Sequence, residues 1–451
     1  MTVALYTLGC KLNYAETSQL QSMFEREGHT VVPFGQPADV VIINTCTVTE
    51  NADRECRQII RRALRISPKA FIGVTGCYAQ LQPEEIASID GVDAVFGAQE
   101  KFRITELIGD FQKVDTPRCF VSDIGGVIDF AEAQSYEYDS RTRAFLKIQD
   151  GCNYKCSFCT IPRARGRSRA IDFQRIPEKI RALEAAGYHE IVLSGINIGD
   201  YRAPSGETFT DVIHLIEQMQ PRLRIRISSI EPNLLTQEII ETIAQSSVLC
   251  PSFHIPLQSG SPEVLRHMRR RYNVEQYRDL IFRIKASMPH AAIGADVIVG
   301  FPTETNVHFE ETYTFVETLP ISYLHVFSYS ERDNTPAAEY SVRTGGVPMR
   351  QRAERSRQLR LLSAEKKRQF YQSQCGTERI VIPEQRNPKT GLWEGWTENY
   401  IRVEFTAPSM LMQAPVRVLL QRTYGDIVQS DFLYTISPYS VGNPSYIPIV
   451  L

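Results

Sequence analysis

The chain has 451 residues, with 50 Lys+Arg against 52 Asp+Glu and a formal net charge of −2, which excludes a globally basic nucleic-acid binder. Its 43% hydrophobic and 23% charged residues are those of an ordinary folded protein, and its length predicts roughly two to four domains. The opening residues MTVALYTLGCKLNYAE lack a secretory signal, and no run approaches about 18 apolar residues, so a cytoplasmic protein without a membrane partner is expected. In a reducing compartment, ten cysteines point to metal ligation or catalysis rather than to a disulfide framework.

In chain order, VALYTLGC, a helical pattern over 13–27, ADVVIINTC, a helix over 53–65 and AFIGVTGC alternate strand and helix, which predicts a parallel sheet. Residues 118–143 hold no sustained period and read as a linker with one hairpin at most. Alternation resumes at AFLKIQD and continues through EIVLSG, RIRISSI, SFHIPL, IGADVIVG and SYLHVFS, six strand–helix repeats that predict an open or closed βα barrel. The charged stretch RQRAERSRQLRLLSAEKKRQFYQSQ reads as a solvated helix leaving it. After Cys375, short β-rich runs separated by NPKTG, APS and YGD predict a small antiparallel β-barrel.

Two cysteine sets stand out. Cys152, Cys156 and Cys159 of GCNYKCSFCTIPRARGRSR have the spacing C-x3-C-x2-C directly after a predicted strand. Three thiolates on one short loop suit three irons of a cubane and leave its fourth iron open for a small molecule. A zinc knuckle would need a fourth Cys or His, and the loop contains none. Cys10, Cys46 and Cys77 each end a predicted parallel strand where the chain turns toward a helix. Neighbouring strands would bring these three thiols to one sheet edge, which suggests a second three-cysteine cluster. Cys56, Cys119, Cys250 and Cys375 fit no such pattern and read as structural.

The cysteine loop and the six repeats after it resemble the radical S-adenosylmethionine (SAM) superfamily. With TLGCKLNYAE, VIINTCTVTENADRECRQIIRRA, FHIPLQSGS and VIVGFPTET, nearly the whole chain resembles its methylthiotransferases, most of all the branch acting on N6-threonylcarbamoyladenosine in tRNA. The resemblance implies an α/β chain: a flavodoxin-like N-terminal domain (1–117), a linker (118–137), a partial (βα)6 radical SAM barrel (138–371), a small all-β TRAM barrel (372–440) and a tail (441–451). It implies two 4Fe-4S clusters, one on Cys152, Cys156 and Cys159 and one on Cys10, Cys46 and Cys77, with SAM as second cofactor. Phe158 is then placed beside the adenine, and Ser194, Gly195 and Asn197 by the methionine amino group, although LSGIN departs from the common Gly-Gly-Glu form. Ser229, Glu231, His254, Gln258 and Asp296 follow at later strand ends, the mouth where a βα fold places chemistry.

The implied reaction cleaves one SAM to a 5'-deoxyadenosyl radical, takes hydrogen from adenine C2 and delivers a methylthio group methylated by a second SAM. Expected partners are tRNA, SAM and a low-potential electron donor, with the chain a monomer. Local charge agrees with RNA: Arg61, Arg62 and Arg65, then Arg163, Arg165, Arg167 and Arg169, then Arg266, Arg269, Arg270 and Arg271. Trp393, Trp396, Tyr400 and Arg402 offer either stacking faces or the aromatic core of the small barrel. Isopentenyladenosine in tRNA or an aspartate of a ribosomal protein are alternative substrates. A non-radical iron–sulfur RNA-binding protein is the alternative from another class.

Overall fold

The computed structural model describes residues 1–46, 50–134, 142–408 and 414–436, and the side chains of 50–53 are left out. Part of the VIINTCTVTE motif, part of the 118–137 linker and the 441–451 tail therefore lie outside the described residues.

The N-terminal sheet contains β1 (Thr2–Thr7), β2 (Thr30–Val32), β3 (Val40–Thr45), β4 (Phe71–Gly76), β5 (Ala94–Phe96) and β6 (Arg118–Phe120). Its order is β2-β1-β3-β4-β5-β6 and every pair is parallel, the flavodoxin-like order with one strand added. All residues of β3 and β4 are buried, which is why VVIINT and FIGVTG read as continuous runs rather than alternating ones. The sheet runs on past residue 117: Arg118–Phe120 pairs beside β5, because a parallel edge strand of three residues shows no period of its own.

The barrel strands are β7 (Arg143–Lys147), β10 (Glu190–Ser194), β11 (Arg224–Ile227), β12 (Ser252–His254), β13 (Ala292–Val299) and β14 (Tyr323–Ser328); the two-residue β8 (Gln149–Asp150) and β9 (Arg169–Ala170) bracket the cysteine loop. Two parallel three-stranded sheets, β11-β10-β7 and β12-β13-β14, meet through bridges Ile225↔Leu249 and Ser229↔His254, giving an open partial barrel of six strands. One apolar core lines it, from Ala144 and Leu146 through Ile191, Ile225 and Phe253 to Val297 and Leu324.

The charged helix Met349–Gln374 is not simply solvated. Arg352, Arg355, Leu359, Lys366, Phe370 and Tyr371 are buried along it, Arg355 bonding the buried Glu304 at 2.5 Å and Lys366 the carbonyl of Leu319 at 2.8 Å. Long cationic side chains let a highly charged helix cover an apolar barrel while their heads find carbonyls. It delivers the chain to a closed barrel in the order β15 (Glu378–Arg386), β16 (Trp393–Thr397), β17 (Arg402–Thr406), β19 (Ile427–Thr435), β18 (Val416–Tyr424). That barrel is mixed rather than purely antiparallel, since β17 and β19 pair in parallel to close it. Among the described residues, no helix is long and apolar enough to cross a membrane.

Candidate active site

The loop carrying Cys152, Cys156 and Cys159 leaves β8 through Gly151. Gly151 has φ +69°, and a Cβ there would lie 2.0 Å from the Arg167 carbonyl, so a side chain would block closure of the loop. Burial pushes the Cys152 thiol up to about 11 and Cys159 to about 12, with Cys156 raised as well. The Cys159 N–H donates to the carbonyl of Cys156 at 3.2 Å, a tight turn between these two cysteines, and the Cys152 N–H to that of Gly166 at 3.1 Å. Such thiols ionise readily only with a positive centre among them, as an iron–sulfur cubane supplies. No described group of three or more His, Cys, Asp or Glu could hold a single metal ion. The thiolates of a cubane sit on separate irons and do not converge on one point.

Arg270 donates from Nη1 to Cys156 Sγ at 3.1 Å and through Nη2 to the Glu231 carboxylate, with its side chain 3% exposed. Glu231, expected near SAM, is thus engaged in holding a cation against the cysteine loop. Arg270 is correspondingly withdrawn from the RNA-facing set that the sequence suggests.

Phe158, Gln258 and Asp296 line a cavity of about 220 Å³ together with Cys159, Ile298 and Tyr329. His254 reaches it through Asp296, with Nε2 2.8 Å from Oδ1. Gln258 has φ +66° and its backbone N–H donates to the Asp296 carbonyl at 2.7 Å, which fixes the strand end beside the cysteines. On the opposite half-sheet, the side-chain Oε1 of Gln149 accepts from the Asn197 backbone N–H at 2.9 Å and lies 2.8 Å from where a Cβ on Gly195 would stand. Asn197 is 3% exposed, and neither its Oδ1 nor its Nδ2 has a hydrogen-bond partner. An unsatisfied buried amide fits a polar ligand such as the amino acid part of SAM. Ser194 is buried and bonds its own strand at Val192 O, while Ser229 bridges to His254.

The second cysteine set stands at strand ends as expected. Cys10 precedes the helix Lys11–Arg26, Cys46 follows β3 and Cys77 opens the helix Cys77–Leu81. Gly9, at φ +101°, leaves no room for a Cβ, which would lie 2.8 Å from Cys46 Sγ; Gly76, at φ +102°, would meet Thr45 O at 2.3 Å. These glycines let adjacent strand ends crowd together, Gly9 against Cys46 and Gly76 against Thr45, so that each cysteine of the set follows or meets a neighbouring strand end. Cys10 is exposed, while Cys46 and Cys77 are buried. Cys56 and Cys250 are also buried, Cys375 is half-buried and Cys119 is exposed on β6.

A buried charge network, not anticipated from the sequence, joins the two cysteine sets. Glu16, 1% exposed, meets Arg165 Nη1 at 2.9 Å, Lys101 Nζ at 2.7 Å and Lys147 Nζ at 3.1 Å. Asp150 takes Lys147 at 2.8 Å, Arg165 at 3.1 Å and Arg169 at 3.2 Å. Burial alone would raise the Glu16 carboxyl, yet Arg165, Lys101 and Lys147 hold it well below the usual carboxylate range. Arg165 is therefore spent inside the protein, with Arg169 mostly so. Polar Asn13 and Glu16 on the buried face of the first helix were the available signal.

Of the other arginines, Arg61, Arg62, Arg65, Arg163, Arg167, Arg266, Arg269 and Arg271 are exposed. Arg61 and Arg65 line an open cavity of about 690 Å³ with Arg57. In the small barrel, Tyr400 stacks on Trp396 at 4.6 Å and on Tyr323 of β14 at 6.2 Å, and Arg226 lies 5.0 Å from its ring. That aromatic pair faces the partial βα barrel, whereas Trp393 lies under Arg386 and Arg402 pairs with Glu394.

Comparison with known proteins agrees with this architecture. Residues 2–97 match the model of Uncharacterized protein family UPF0004 and residues 146–316 that of the Radical SAM superfamily. The chain is 41% identical to the threonylcarbamoyladenosine tRNA methylthiotransferase MtaB of Bacillus subtilis (strain 168), over 92% of this chain and 93% of that protein. It is 37% identical to the MtaB of Aquifex aeolicus (strain VF5), over 90% and 96%. To a tRNA-2-methylthio-N(6)-dimethylallyladenosine synthase of Clostridium botulinum it is 33% identical over 74% and 76%. Among solved structures, the radical S-adenosylmethionine methyltransferase TsrM from Kitasatospora setae shares the fold, with TM-score 0.54, 15% identity and coverage of 75% and 77%. With both family models, the cysteine sets and the closed terminal barrel in one chain, this protein belongs to the radical SAM methylthiotransferases and is an enzyme of their MtaB type.

Proposed function

We propose that the protein transfers a methylthio group to C2 of N6-threonylcarbamoyladenosine next to the anticodon of tRNA, using two SAM molecules and two 4Fe-4S clusters. The observation that carries the reading is that one buried network links the helix after Cys159 to the helix after Cys10, so that two cysteine triplets from separate domains are tied together, with a cavity lined by Phe158, Cys159, Gln258 and Asp296 at the first. Cys152, Cys156 and Cys159 would hold one cluster and Cys10, Cys46 and Cys77 the other. The chemistry such groups supply is reductive cleavage of SAM at the first and sulfur delivery at the second.

The chain's own residues supply aim and exclusion. Phe158 offers an apolar wall to the adenine of SAM, Asn197 an unsatisfied amide to its amino acid end, and Asp296, fixed by His254, an acceptor at the mouth. Arg270 holds positive charge against Cys156, where an anionic cluster face requires it. Exposed Arg61, Arg62, Arg65, Arg163 and Arg167 suit phosphate contact, and an adenine in a single-stranded loop can be splayed into the mouth. The preference for a threonylcarbamoyl substrate is supported by the 41% and 37% identity to the MtaB relatives of Bacillus subtilis and Aquifex aeolicus, over 90% or more of this chain, against 33% over 74% for the dimethylallyl relative. A buried carboxylate also requires a cation, whereas an isopentenyl group calls for an apolar pocket.

The test is to give the anaerobically reconstituted enzyme both modified tRNAs with SAM and a low-potential reductant, then quantify methylthio nucleosides. Conversion of the threonylcarbamoyl tRNA alone is expected. Preferential conversion of the isopentenyl tRNA would overturn the substrate, and absence of 5'-deoxyadenosine would overturn the radical chemistry.

A further inference from the structure

Arg165 sits at a junction that the substrate reaction does not by itself explain. It closes the helix Ile161–Arg165, which starts two residues after Cys159, so it belongs to the radical domain. Its guanidinium nonetheless ends in the N-terminal domain, with Nη2 2.5 Å from Asn13 Oδ1 and 3.1 Å from Glu16 Oε2. Asn13 in turn donates from Nδ2 to the carbonyls of Leu8 at 2.8 Å and Thr45 at 2.9 Å. Those carbonyls lie just ahead of Gly9-Cys10 and of Cys46. Through Asn13, Arg165 therefore braces the first two strand-end cysteines.

The third is reached through helix packing: the helix that Cys77 opens, Cys77–Leu81, lies against the helix that Arg165 closes. The Arg165 Nε–H is buried without a hydrogen-bond acceptor, and its side chain is 2% exposed. The charge around it is unbalanced as well: among the described residues of the network, Lys101, Lys147, Arg165 and Arg169 face only the two carboxylates Glu16 and Asp150. A buried surplus of cations with a spare N–H requires an anion beside it. A cubane on thiolates is such an anion, and charge and hydrogen bonds at its sulfurs set its potential.

We propose that Arg165 is the outer-sphere cation of the cluster on Cys10, Cys46 and Cys77, its spare Nε–H and its charge acting on that cluster so as to raise its reduction potential. The inference rests on the cluster assignment made under the proposed function. Arg165 is a positioning residue: it couples the loop of one cysteine set to the electronics of the other. A lysine in its place would keep a point charge but lose the planar fork that serves Asn13, Glu16 and Asp150 at once and still carries a spare Nε–H.

The test uses the full chain with Cys152, Cys156 and Cys159 all changed to Ala, which isolates the second site and removes the Arg270 contact at the first. The protein is labelled with 15N-arginine and reconstituted with iron and sulfide; its reduced cluster is then studied by pulsed EPR and redox titration. We expect about four irons per chain, given three-cysteine ligation of one cubane. A 15N coupling from arginine should appear in this parent and vanish in Arg165→Lys. In Arg165→Met the reduction equilibrium should shift at least tenfold toward the oxidised cluster, about 59 mV for one electron. The coupling in the unmutated Arg165 parent decides the matter even where a variant folds poorly. Four irons without arginine coupling would overturn this inference alone; no iron in the parent would overturn the cluster assignment and the inference together.

Discussion

Replacing Glu190 by Gln tests how the terminal barrel is locked to the radical domain. Glu190 opens β10, is fully buried, and accepts from Arg224 Nε at 2.5 Å, Arg226 Nε at 3.0 Å and Arg226 Nη2 at 2.9 Å. The other ends of the same guanidiniums donate to carbonyls of the small barrel: Ile380 at 3.1 Å, Trp396 at 2.9 Å, Thr397 at 3.1 Å and Glu398 at 3.0 Å. One carboxylate thus neutralises two arginines that carry the interface. The amide keeps the volume but leaves those charges buried and uncompensated, a loss of about 3–5 kcal/mol. At roughly 2–4 °C per kcal/mol for a unit of this size, melting should fall by roughly 6–20 °C. Both tryptophans of the chain, Trp393 and Trp396, lie in the small barrel, so their fluorescence reports its melting. Acid gives a second arm. Burial alone would raise Glu190, but Arg226 and Arg224 hold it well below the usual carboxylate range. Its contribution is therefore complete above the unfolded value of about 4.3 and is lost as pH falls below that. The native chain should lose melting temperature between about pH 5 and 3 more steeply than Glu190→Gln does. A variant melting within about 2 °C of the native chain at neutral pH, with the same acid slope, would refute the reasoning.

Ending the chain at Gln374 removes the carbonyl partners of Arg224 and Arg226 and uncovers Phe370 and Tyr371, which belong to the core of the small barrel. The truncated chain should melt earlier and aggregate, and one as stable as the whole would contradict this packing. Changing Arg61, Arg62 and Arg65 together to Ala should weaken tRNA binding and flatten its dependence on salt, by roughly one unit of slope per lost phosphate contact. An unchanged salt slope in a filter-binding titration would remove that helix from the RNA surface.

Much of this protein was readable along the chain because its signals are local. The spacing of Cys152, Cys156 and Cys159, the glycines before Cys10 and Cys77, and the buried runs of β3 and β4 depend on backbone geometry within a few residues. The arrangement of Cys10, Cys46 and Cys77 at one sheet edge needed only the rule that neighbouring parallel strands end together. The fate of the arginines was not readable in this way. In sequence, Arg165 and Arg167 are alternate members of one basic run, yet the first is buried against Glu16, 149 residues away, while the second is exposed. Likewise Arg270 is enclosed between Cys156 and Glu231, and Arg269 and Arg271 beside it are exposed. Tyr400 and Trp396, equally suited to bases by composition, stack toward the radical domain because Tyr323 and Arg226 stand there. A cation becomes an RNA contact or an internal counter-charge according to which carboxylate the tertiary fold brings within a few ångströms. Composition cannot carry that information, because the cost of burying an unpaired charge is settled only when distant segments close around it.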